Sequence, residues 1–468
     1  PAALLPLYHV TGGVGWINDP NGFSLYKGEY HLFFQYHPYS RQWGPMHWGH
    51  VKTRDFIRWE RLPAALAPDA WYDKDGCFSG SAIELPDGRH LLMYTGVQPG
   101  GTEHREIQAQ CIAIGDGIDF RKATSGPVLS GQNLPKGYSW HDFRDPRIWR
   151  EHGKYFCVCG NRHDERAGSI LLFESEDARN WTFLSELDAS RHELGEMWEC
   201  PDFFALGDRH VILTSPQEMK AREEFHAGFG TVALIGQYDP ESHRFIRESV
   251  QCVDDGLNFY APQTVLAPDG RRILMGWMEN WETCKEAKRT KPWFGQMSAP
   301  REISLKNGRL CQEPIRELAT LWRDDIRYRH LSVCENTHFS QVDGRKLDLT
   351  ITLNRQHSEC RRFTLHLAQD SQHDTVIRCD LARGELVFDR SRCGSSRDIV
   401  HTRQVPAPLQ DDHTLLLRVL MDIDSIEVFI NQGERVITSQ IPTAMTSNGI
   451  SFEADAPIQL DLCAHHLG

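Results

Sequence analysis

The sequence predicts an all-β protein, a five-bladed β-propeller followed by a C-terminal β-sandwich, and two patterns carry this prediction. A strand-turn-strand unit recurs at a spacing of roughly 60 residues through the first two-thirds of the 468-residue chain. Beyond about residue 331, apolar residues alternate with polar ones, which is typical of antiparallel sheets packed face to face. The chain therefore divides into a repeat region and a sandwich region.

The repeat region contains five units, each with an apolar run, a tight turn and a returning apolar run. Gly-bearing turns between apolar runs rich in β-branched and aromatic residues indicate β-hairpins. The units begin near Asn18, Phe78, Arg144, Glu199 and Phe259, and their turns lie at Lys27-Gly28, Asp87-Gly88, His152-Gly153, Gly207-Asp208 and Asp269-Gly270. Each unit has room for about four strands, and five such sheets arranged radially form a propeller. Because the innermost strand of every blade begins at the same end of the channel, we expect the five unit heads to face one funnel.

The domain boundaries follow from the same patterns. The propeller is predicted over residues 1–312, and residues 313–330 form a linker in which Leu318 and Leu321 belong to a helical spacing of apolar residues. Residues 331–468 are predicted to form the sandwich, because several runs alternate with a period of two. This region has no acidic motif like those of the repeats, so we expect a structural or accessory role for it.

Composition argues against several classes of partner. A net charge of −13 with no Lys/Arg block disfavours nucleic acid, because binding phosphates requires a basic surface. No run approaches 18 apolar residues, and residues 1–8 lack the basic flank and apolar segment of a leader, so nothing in the sequence marks secretion and no membrane partner is expected. A leader removed before Pro1 stays an open alternative. The thirteen cysteines are odd in number and widely spread, which favours reduced thiols in a cytoplasm.

No metal or other cofactor is expected. His37, His47 and His50 lie between aromatic residues, but the sequence has no H-E-x-x-H pattern, so we predict packing and hydrogen-bonding roles for them. Cys157 and Cys159 lack the C-x-x-C spacing of redox and zinc sites. As alternate residues of one strand, they are predicted to lie in the core.

Three carboxylate motifs lie at the heads of three units. W-I-N-D-P-N-G carries Asp19, F-R-D-P carries Asp145 and W-E-C-P-D carries Glu199. Proline biases the preceding residue toward extended geometry, so we expect Asp19, Asp145 and Cys200 to be held in that geometry at the start of a strand. Cleaving a glycosidic bond requires one carboxyl group that protonates the leaving oxygen and another that attacks the anomeric carbon or activates water. Three acids in phase with the repeat therefore predict a glycosidase.

Aromatic residues near the unit heads offer faces for stacking sugar rings, or alternatively form the propeller core. They are Trp16, Trp43, Trp48, Phe78, Trp140, Trp198, Phe259, Tyr260, Trp277 and Trp293. Trp43 and Trp48 are expected to line or support the funnel. A blind funnel would admit one terminal sugar unit rather than the middle of a polymer.

These motifs, together with F-S-G-S at residues 78–81 and N-F-Y-A-P-Q at residues 258–263, resemble the signature blocks of glycoside hydrolase family 32, the β-fructofuranosidases. D-S-I-E-V-F-I-N-Q-G-E at residues 424–434 is similar to the sandwich of that family. The resemblance implies a propeller joined to a sandwich, and a retaining mechanism. It assigns Asp19 as nucleophile, Asp145 as transition-state stabiliser and Glu199 as general acid/base, which requires Glu199 protonated while Asp19 is ionised.

The resemblance also implies residues that contact the sugar. They are Asn18, Gln35, Trp43, Phe78, Ser79, Arg144 and Tyr260, with Trp277 as an aromatic candidate and Asp254 as a member of the D-D-G-L-N-F-Y block. Asn258 stands where that block often has Asp, so a charge-dependent sugar contact there is not expected.

The choice of substrate stays open at this stage between sucrose, sucrose 6-phosphate and short fructo-oligosaccharides. A phosphate pocket would need clustered cations. Lys285, Lys288, Arg289 and Lys291 are candidates, and a solvated loop is the alternative interpretation of these four residues. A fructosyltransferase, a fructan exohydrolase, an inverting pentose glycosidase on a related propeller and a non-catalytic sugar-binding propeller are the other functions considered. The oligomeric state is not predicted.

Overall fold

The computed structural model of the protein describes residues 5–100, 106–286, 291–395 and 400–468, apart from the side chains of Lys285 and Glu286. The architecture is nearly all-β and confirms the predicted fold class. Five small antiparallel sheets form the blades of a propeller, and a further sheet of ten strands forms the C-terminal domain. None of the helices in these described ranges is long and apolar enough to cross a membrane.

Each blade begins with its innermost strand. The strands of blade 1 are Gly15–Tyr26, Glu29–His37, His47–Thr53 and Glu60–Leu66, and those of blade 2 are Gly76–Glu84, His90–Gln98, Ile107–Gly115 and Phe120–Lys122. The strands of blade 3 are Tyr138–Glu151, Lys154–His163, Ala167–Ser175 and Thr182–Ala189, and those of blade 4 are Met197–Leu206, Arg209–Gln217, Val232–Asp239 and Arg244–Cys252. The strands of blade 5 are Tyr260–Leu266, Arg272–Trp277, Arg301–Lys306 and Arg309–Pro314.

The ring closes between the first and last blades. The inner strands Gly15–Tyr26 and Tyr260–Leu266 contact each other. The short strand Trp293–Phe294, which lies in sequence between the second and third strands of blade 5, adds to blade 1 in parallel through Gly15 and Trp16. The five predicted hairpin turns lie between the first two strands of the five blades, as the repeat indicated.

Every inner strand is irregular at its head. The pairing with the second strand of the same blade shifts in register at the same place in all five blades. A bulge of this kind leaves a residue out of the ladder and re-aims its side chain. The residues within the shifts include Asp19, Ser79, Asp145, Cys200 and Ala261.

The propeller channel is filled directly beneath these heads. Two buried side chains connect inner strands of different blades. Ser81 Oγ of blade 2 donates to the carbonyl of Pro146 of blade 3 at 2.8 Å, and Gln263 Nε2 of blade 5 donates to the carbonyl of Gly80 of blade 2 at 2.7 Å. Asp202 accepts from Thr264 N at 2.8 Å. A cavity that opens at the heads of the inner strands is therefore closed at its bottom by this polar layer.

The C-terminal sheet folds into two layers around one long strand. Its strands are Ile326–Thr337, Leu347–Asn354, Arg362–Gln369, Asp374–Asp380, Glu385–Arg392, Thr402–Pro406, Thr414–Asp422, Ser425–Ile430, Arg435–Gln440 and Gly449–His466. The first half of Gly449–His466 pairs with Arg362–Gln369, and its second half pairs with Leu347–Asn354. The layers enclose a fully buried apolar core that includes Ile351 and Phe363.

Apolar contacts and buried ion pairs join the two domains. The predicted linker contains a three-ten helix, Arg316–Leu321, whose Leu318 packs with Leu420 and Phe429 of the sandwich. The other described three-ten helices are Gly131–Asn133 and Thr283–Glu286. Fully buried Arg301 of blade 5 pairs with Glu427 of the sandwich at 2.6 Å.

Candidate active site

A cavity with a volume of about 660 Å³ opens at the heads of the inner strands. Side chains from the first four blades and from the loops around them line its walls. The lining residues are Asn18, Asp19, Gln35, Trp43, Phe78, Ser79, Glu106, Gln108, His141, Asp142, Arg144, Asp145, Glu199, Gln217, Phe229 and Trp281. The three predicted carboxylates are thus brought together at one cavity, although more than 50 residues separate each from the next in sequence.

Asp19 is held between blades 1 and 2. Asn18 Nδ2 donates to Asp19 Oδ1 at 3.2 Å, and Ser79 Oγ donates to Asp19 Oδ2 at 2.8 Å. Asn18 is itself oriented by Trp16, whose indole Nε1 donates to Asn18 Oδ1 at 2.7 Å. These contacts fix the carboxylate while leaving it in the cavity wall.

Asp145 is held between blades 2, 3 and 4. Its backbone N donates to Thr95 Oγ1 at 2.9 Å, and its Oδ2 accepts from the backbone N of Cys200 at 2.8 Å. The Cys200 thiol sulfur lies 3.5 Å from Oδ2 of Asp145 and 3.5 Å from Oδ2 of Asp19. This thiol therefore bridges the two aspartates from below.

The backbone at two of the heads differs from the expectation. Asp145 has φ 64° and Cys200 has φ 48°, which is the left-handed region and not the extended geometry that the following prolines favour. The physical reason is the bulge, in which one residue leaves the ladder and turns the chain. Such conformations are unfavourable for non-glycine residues and are found where surrounding contacts enforce them, often at functional sites.

Glu199 is oriented by a cation and a phenol. Arg144 Nε donates to Glu199 Oε1 at 2.9 Å, and the Tyr260 hydroxyl donates to Glu199 Oε2 at 2.7 Å. Burial raises the pKa of Tyr260 well above its usual range, so this hydroxyl remains a donor. Arg144 is supported in turn by Gln108 Oε1 at 3.1 Å and Asp142 Oδ1 at 3.2 Å.

Burial and repulsion from neighbouring carboxylates raise the pKa of both aspartates. Burial raises the pKa of Asp19 to about 6, the charge of Glu199 adds to this rise, and hydrogen bonds from Ser79 and Asn18 oppose it. Burial and the charge of Glu199 also raise the pKa of Asp145 to about 7, against the opposing charge of Arg144. Because the carboxyl groups interact strongly, their protonation belongs to the set rather than to one residue.

Six of the predicted sugar-contacting residues line the cavity: Asn18, Gln35, Trp43, Phe78, Ser79 and Arg144. Gln35 is anchored by its Nε2, which donates to the carbonyl of Cys77 at 2.9 Å. Trp48 is fully buried and supports the wall, because its indole donates to the carbonyl of Phe78 at 3.0 Å. Tyr260 lies behind Glu199 and reaches the site through its hydroxyl.

Two predicted contacts are placed elsewhere. Asp254 is buried at the interface between the domains, where its Oδ2 accepts from Arg301 Nη1 at 2.9 Å and its Oδ1 accepts from Thr438 N at 2.9 Å. Its carboxylate is engaged by these partners, and Asp254 does not line the cavity. Trp277 is also fully buried, behind Trp281, with a distance of 5.2 Å between the ring centroids.

The remaining aromatic candidates divide between core and surface. Packing is the outcome for Trp16, Trp198, Phe259 and Trp293, which are buried. Trp140 is 51% exposed and does not line the cavity. Trp43 and Phe78 are the two candidates from the sequence that present faces to the cavity, and their ring centroids lie 6.1 Å apart.

Several lining residues were missed by sequence reasoning. They are Glu106, Gln108, His141, Asp142, Gln217, Phe229 and Trp281. Most lie on second or third strands or on connecting loops, where no motif marks them. His141 and Asp142 directly precede the F-R-D-P motif, so proximity to that motif was the available signal.

The cationic loop is only partly described. Lys288 and Arg289, and the side chain of Lys285, lie outside the described residues. Lys291 pairs with Asp424 of the sandwich. Within the described ranges, Arg144 contributes the guanidinium group of the cavity wall, and it is already engaged with Glu199.

One group of potential metal ligands occurs among the described residues, and it lies in the sandwich rather than at the cavity. Oxygen, sulfur and nitrogen atoms of Asp325, Cys463 and His465 come within 4.8 Å of one another. Asp325 Oδ1 is engaged by Arg327 at 2.6 Å. The Sγ atoms of Cys157 and Cys159 lie 3.7 Å apart in the core, as the sequence predicts.

Carboxyl groups that converge on one blind cavity are the machinery of glycoside hydrolases. The chain matches the model of the glycosyl hydrolases family 32 N-terminal domain over residues 9–314 and that of the family 32 C-terminal domain over residues 317–462. The protein belongs to glycoside hydrolase family 32.

Relatives and solved structures agree with this assignment. A sucrose-6-phosphate hydrolase of Zymomonas mobilis is 36% identical over 459 residues, covering 93% of this chain and 86% of the relative. A raffinose invertase of Escherichia coli is 35% identical over 462 residues, covering 96% and 92%. The structure of a β-fructofuranosidase of Bombyx mori superposes with a TM-score of 0.85 at 32% identity, covering 100% of this chain and 94% of that one.

Proposed function

We propose that the protein is a retaining β-fructofuranosidase that hydrolyses the terminal fructosyl bond of sucrose or of short fructo-oligosaccharides. The observation that carries this proposal is the arrangement of Asp19, Asp145 and Glu199 around one blind cavity, in which Cys200 joins the two aspartates and Arg144 and Tyr260 orient the glutamate. Family membership and the names of the relatives support the choice of fructosides.

In the first step, Asp19 is the nucleophile and Glu199 the acid. A carboxylate oxygen of Asp19 attacks C2 of the fructosyl unit, the bond from C2 to the bridging oxygen breaks, and Glu199 gives its proton to that oxygen. The products are a fructosyl ester on Asp19 and the released sugar. In the second step Glu199 removes a proton from water, which attacks C2, releases fructose and restores both carboxyl groups.

The carboxyl groups of the site share a proton, and the mechanism depends on where it lies. The raised pKa values of Asp19 and Asp145 mean that the carboxyl set binds a proton near neutral pH, and the first step needs that proton on Glu199. Asp145 is assigned to the sugar hydroxyls, whose interaction with a carboxylate strengthens as positive charge develops on the ring. Retention predicts that the working carboxyls of Asp19 and Glu199 lie about 5 to 5.5 Å apart in the sugar complex.

The blind cavity supports an exo-acting enzyme. The polar layer of Ser81, Asp202 and Gln263 ends the channel beneath the carboxylates, so one chain end can enter while the middle of a polymer cannot. We expect sucrose and 1-kestose to be cleaved at least as efficiently as inulin, with fructose as the first product. A ladder of internal inulin fragments before any fructose would contradict this proposal.

Substrate preference is tested by a turnover panel of sucrose, sucrose 6-phosphate, 1-kestose, inulin and levan. The names of the relatives include both sucrose-6-phosphate hydrolase and raffinose invertase, so both neutral and phosphorylated fructosides belong in the panel. We further propose that the enzyme acts in the cytoplasm, because thirteen cysteines, odd in number and widely spread along the chain, suit reduced thiols in a reducing compartment.

The products formed in the turnover panel also distinguish the other candidate functions from hydrolysis with retention. A fructosyltransferase would form longer oligosaccharides from sucrose at the expense of free fructose. An inverting glycosidase would release the α-anomer first, and its working carboxyls would be about 6.5 to 9.5 Å apart. A propeller that merely binds sugar would release no fructose from any member of the panel.

A further inference from the structure

Asn258 lies in the interface between the domains and does not line the sugar cavity. It is fully buried, and its side-chain amide forms hydrogen bonds with both domains. Its Oδ1 accepts from Arg390 Nη1 at 2.6 Å and from the backbone N of Gln440 at 3.1 Å, and both donors belong to the sandwich. Its Nδ2 donates to Glu279 Oε2 of the propeller at 2.8 Å. A cation on one side and a carboxylate on the other fix the orientation of this amide.

The chemistry explains why an amide suits this position. An aspartate in the same place could accept from Arg390, but it would face the Glu279 carboxylate with a second negative charge. The amide of asparagine offers an acceptor and a donor on one rigid, uncharged group. The Asn in the N-F-Y-A-P-Q block is therefore matched to Glu279 and Arg390 rather than to a sugar.

Glu279 belongs to a tight turn over residues 278–284, which the sandwich also holds directly. Gln440 Nε2 donates to the carbonyl of Met278 at 2.7 Å. Within the turn, Asn280 Oδ1 accepts from the backbone N of Glu282 and of Thr283, each at 2.9 Å. The position of the turn is thus fixed internally by Asn280 and externally by Asn258 and Gln440.

This turn carries Trp281 into the cavity wall. Trp281 stacks on Trp16 with ring centroids 6.3 Å apart and an interplanar angle of 20°. Trp16 donates to Asn18, which donates to Asp19. A continuous set of contacts therefore runs from the sandwich through the turn to the wall beside the proposed nucleophile.

We propose that Asn258 is a positioning residue through which Arg390 and Gln440 of the sandwich place Trp281 against the bound fructoside, so that the sandwich helps to set substrate affinity. This inference rests on the proposed function, since it concerns the same cavity. It gives the C-terminal domain a specific part in binding, in addition to the accessory role that the sequence indicates.

The test is a double-mutant cycle between Asn258→Asp and Trp281→Ala, with kcat and KM measured on sucrose. Asn258→Asp is expected to raise KM by about tenfold, the effect of losing about one charged hydrogen bond, while kcat changes by less than about threefold. Trp281→Ala is expected to raise KM by a similar factor. The double variant is expected to resemble Trp281→Ala, because both changes remove the same wall contact.

A matched control is Arg435→Gln, which removes another contact from the sandwich to the propeller. Arg435 reaches Glu224 and Asp255 and not the turn of Trp281, so its loss should lower thermal stability and leave KM unchanged. If Asn258→Asp does not fold, Gln440→Met replaces it, with an expected rise in KM of about threefold from the weaker neutral bond to Met278.

Two results would overturn the inference while leaving the proposed function intact. They are an unchanged KM in the folded Asn258 or Gln440 variant, and effects of Asn258→Asp and Trp281→Ala that multiply in the double variant. The wild-type protein in the same assay tests the function separately. Its failure to release fructose from any member of the panel would contradict the proposed function itself.

Discussion

Asp19 and Asp145 lie at the centre of the proposed chemistry, and burial opposes the charged form of both carboxyl groups. Their hydrogen bonds come from donors such as Ser79 Oγ and the backbone N of Cys200, which favour the charged form, yet burial and the neighbouring Glu199 dominate. The resulting titration in the range of pH 6 to 7 has consequences for both activity and stability.

Activity should depend on the ionisation of Asp19, since only its carboxylate can attack C2. The pKa of Asp19 in the ligand-free protein is about 6. We therefore expect kcat/KM for sucrose to fall as pH decreases through about 6, approaching a tenfold loss for each further pH unit. Initial rates at low substrate concentration between pH 4.5 and 8 measure this, and a flat profile down to pH 4.5 would contradict the assignment.

Stability should respond to Asp19 in the opposite sense. The pKa of Asp19 in the folded protein is raised to about 6, above the ordinary value of 3.8, so the folded state binds the proton more tightly than the unfolded state does. The stability that Asp19 contributes is therefore present below about pH 4 and is lost as pH rises through 6. Asp19→Asn removes that loss. It should raise the free energy of unfolding above pH 6 by on the order of 2 kcal/mol, with the gain disappearing near pH 4.

The same Asp19→Asn variant should lose activity by at least about 10³-fold, because the amide cannot form the ester. Denaturant unfolding at pH 8 and pH 4, together with rates on sucrose, measures both effects on one protein. Near-normal turnover by the folded variant would refute Asp19 as the nucleophile.

At the scale of elements, the bulges at the strand heads decide which side chains meet. Regular pairing would alternate side chains between the two faces of each blade, whereas the shifts at Asp19, Asp145 and Cys200 turn these groups toward the axis. The hairpins could be predicted because Gly-bearing turns such as Lys27-Gly28 are local signals. The bulges could not, because a register shift depends on how two strands pair.

Three buried histidines lie between blades 1 and 2, and they should make the stability of the protein sensitive to acid. His31 Nδ1 lies 2.9 Å from His50 Nε2, and His90 stacks on Tyr26 with centroids 4.3 Å apart. Burial lowers the pKa of His31 to about 4, that of His50 to about 2 and that of His90 to about 3.

Because these histidines stay neutral in the folded state, their unfolded forms bind protons first, and stability is lost as pH falls below 6.5. His90 Nε2 lies 3.1 Å from Ser24 Oγ, and His90→Gln keeps a hydrogen-bonding partner for this hydroxyl while removing one such histidine. The variant should be less stable than wild type at pH 7, and that deficit should shrink by about 2 kcal/mol by pH 4.5. Urea unfolding at the two pH values measures the difference, and a deficit that is equal at both would contradict the account.

On the scale of the whole molecule, buried charges join the two domains. Arg301 of blade 5 is fully buried between Asp254 at 2.9 Å and Glu427 at 2.6 Å, and His9 adds contacts to Glu427 and Asp422 at 2.9 Å. Removing one partner of such a set leaves uncompensated charge in a buried site, which is more costly than the loss of a surface pair.

Arg301→Gln should therefore destabilise the protein by about 3 to 5 kcal/mol. The exposed pair of Arg327 and Asp325 offers a control, since Arg327→Gln should change stability by less than about 1 kcal/mol. Thermal unfolding of the two variants beside wild type gives the comparison. Equal small effects of both changes would mean that the buried network does not hold the domains together.

The sequence predicted the carboxylate site better than its surroundings, for a physical reason. Asp19, Asp145 and Glu199 lie in motifs that repeat in phase with the blades, so their convergence follows from the architecture. Asp254 also lies in a motif, but its partners Arg301 of blade 5 and Thr438 of the sandwich are 47 and 184 residues away in sequence, which no local pattern reveals. Trp281 was missed because the turn that carries it has no counterpart in the other repeats.

The central claim is that Asp19 carries the fructosyl group during turnover, and trapping that ester tests it most directly. Glu199→Gln, given an aryl β-fructofuranoside whose leaving group needs no acid, should accumulate the ester because its hydrolysis lacks a base. We predict that peptide mass spectrometry after an acid quench finds one fructosyl unit on the peptide that contains Asp19. A fructosyl unit on a different carboxylate, or release of the α-anomer by wild type with no labelled peptide, would contradict the account.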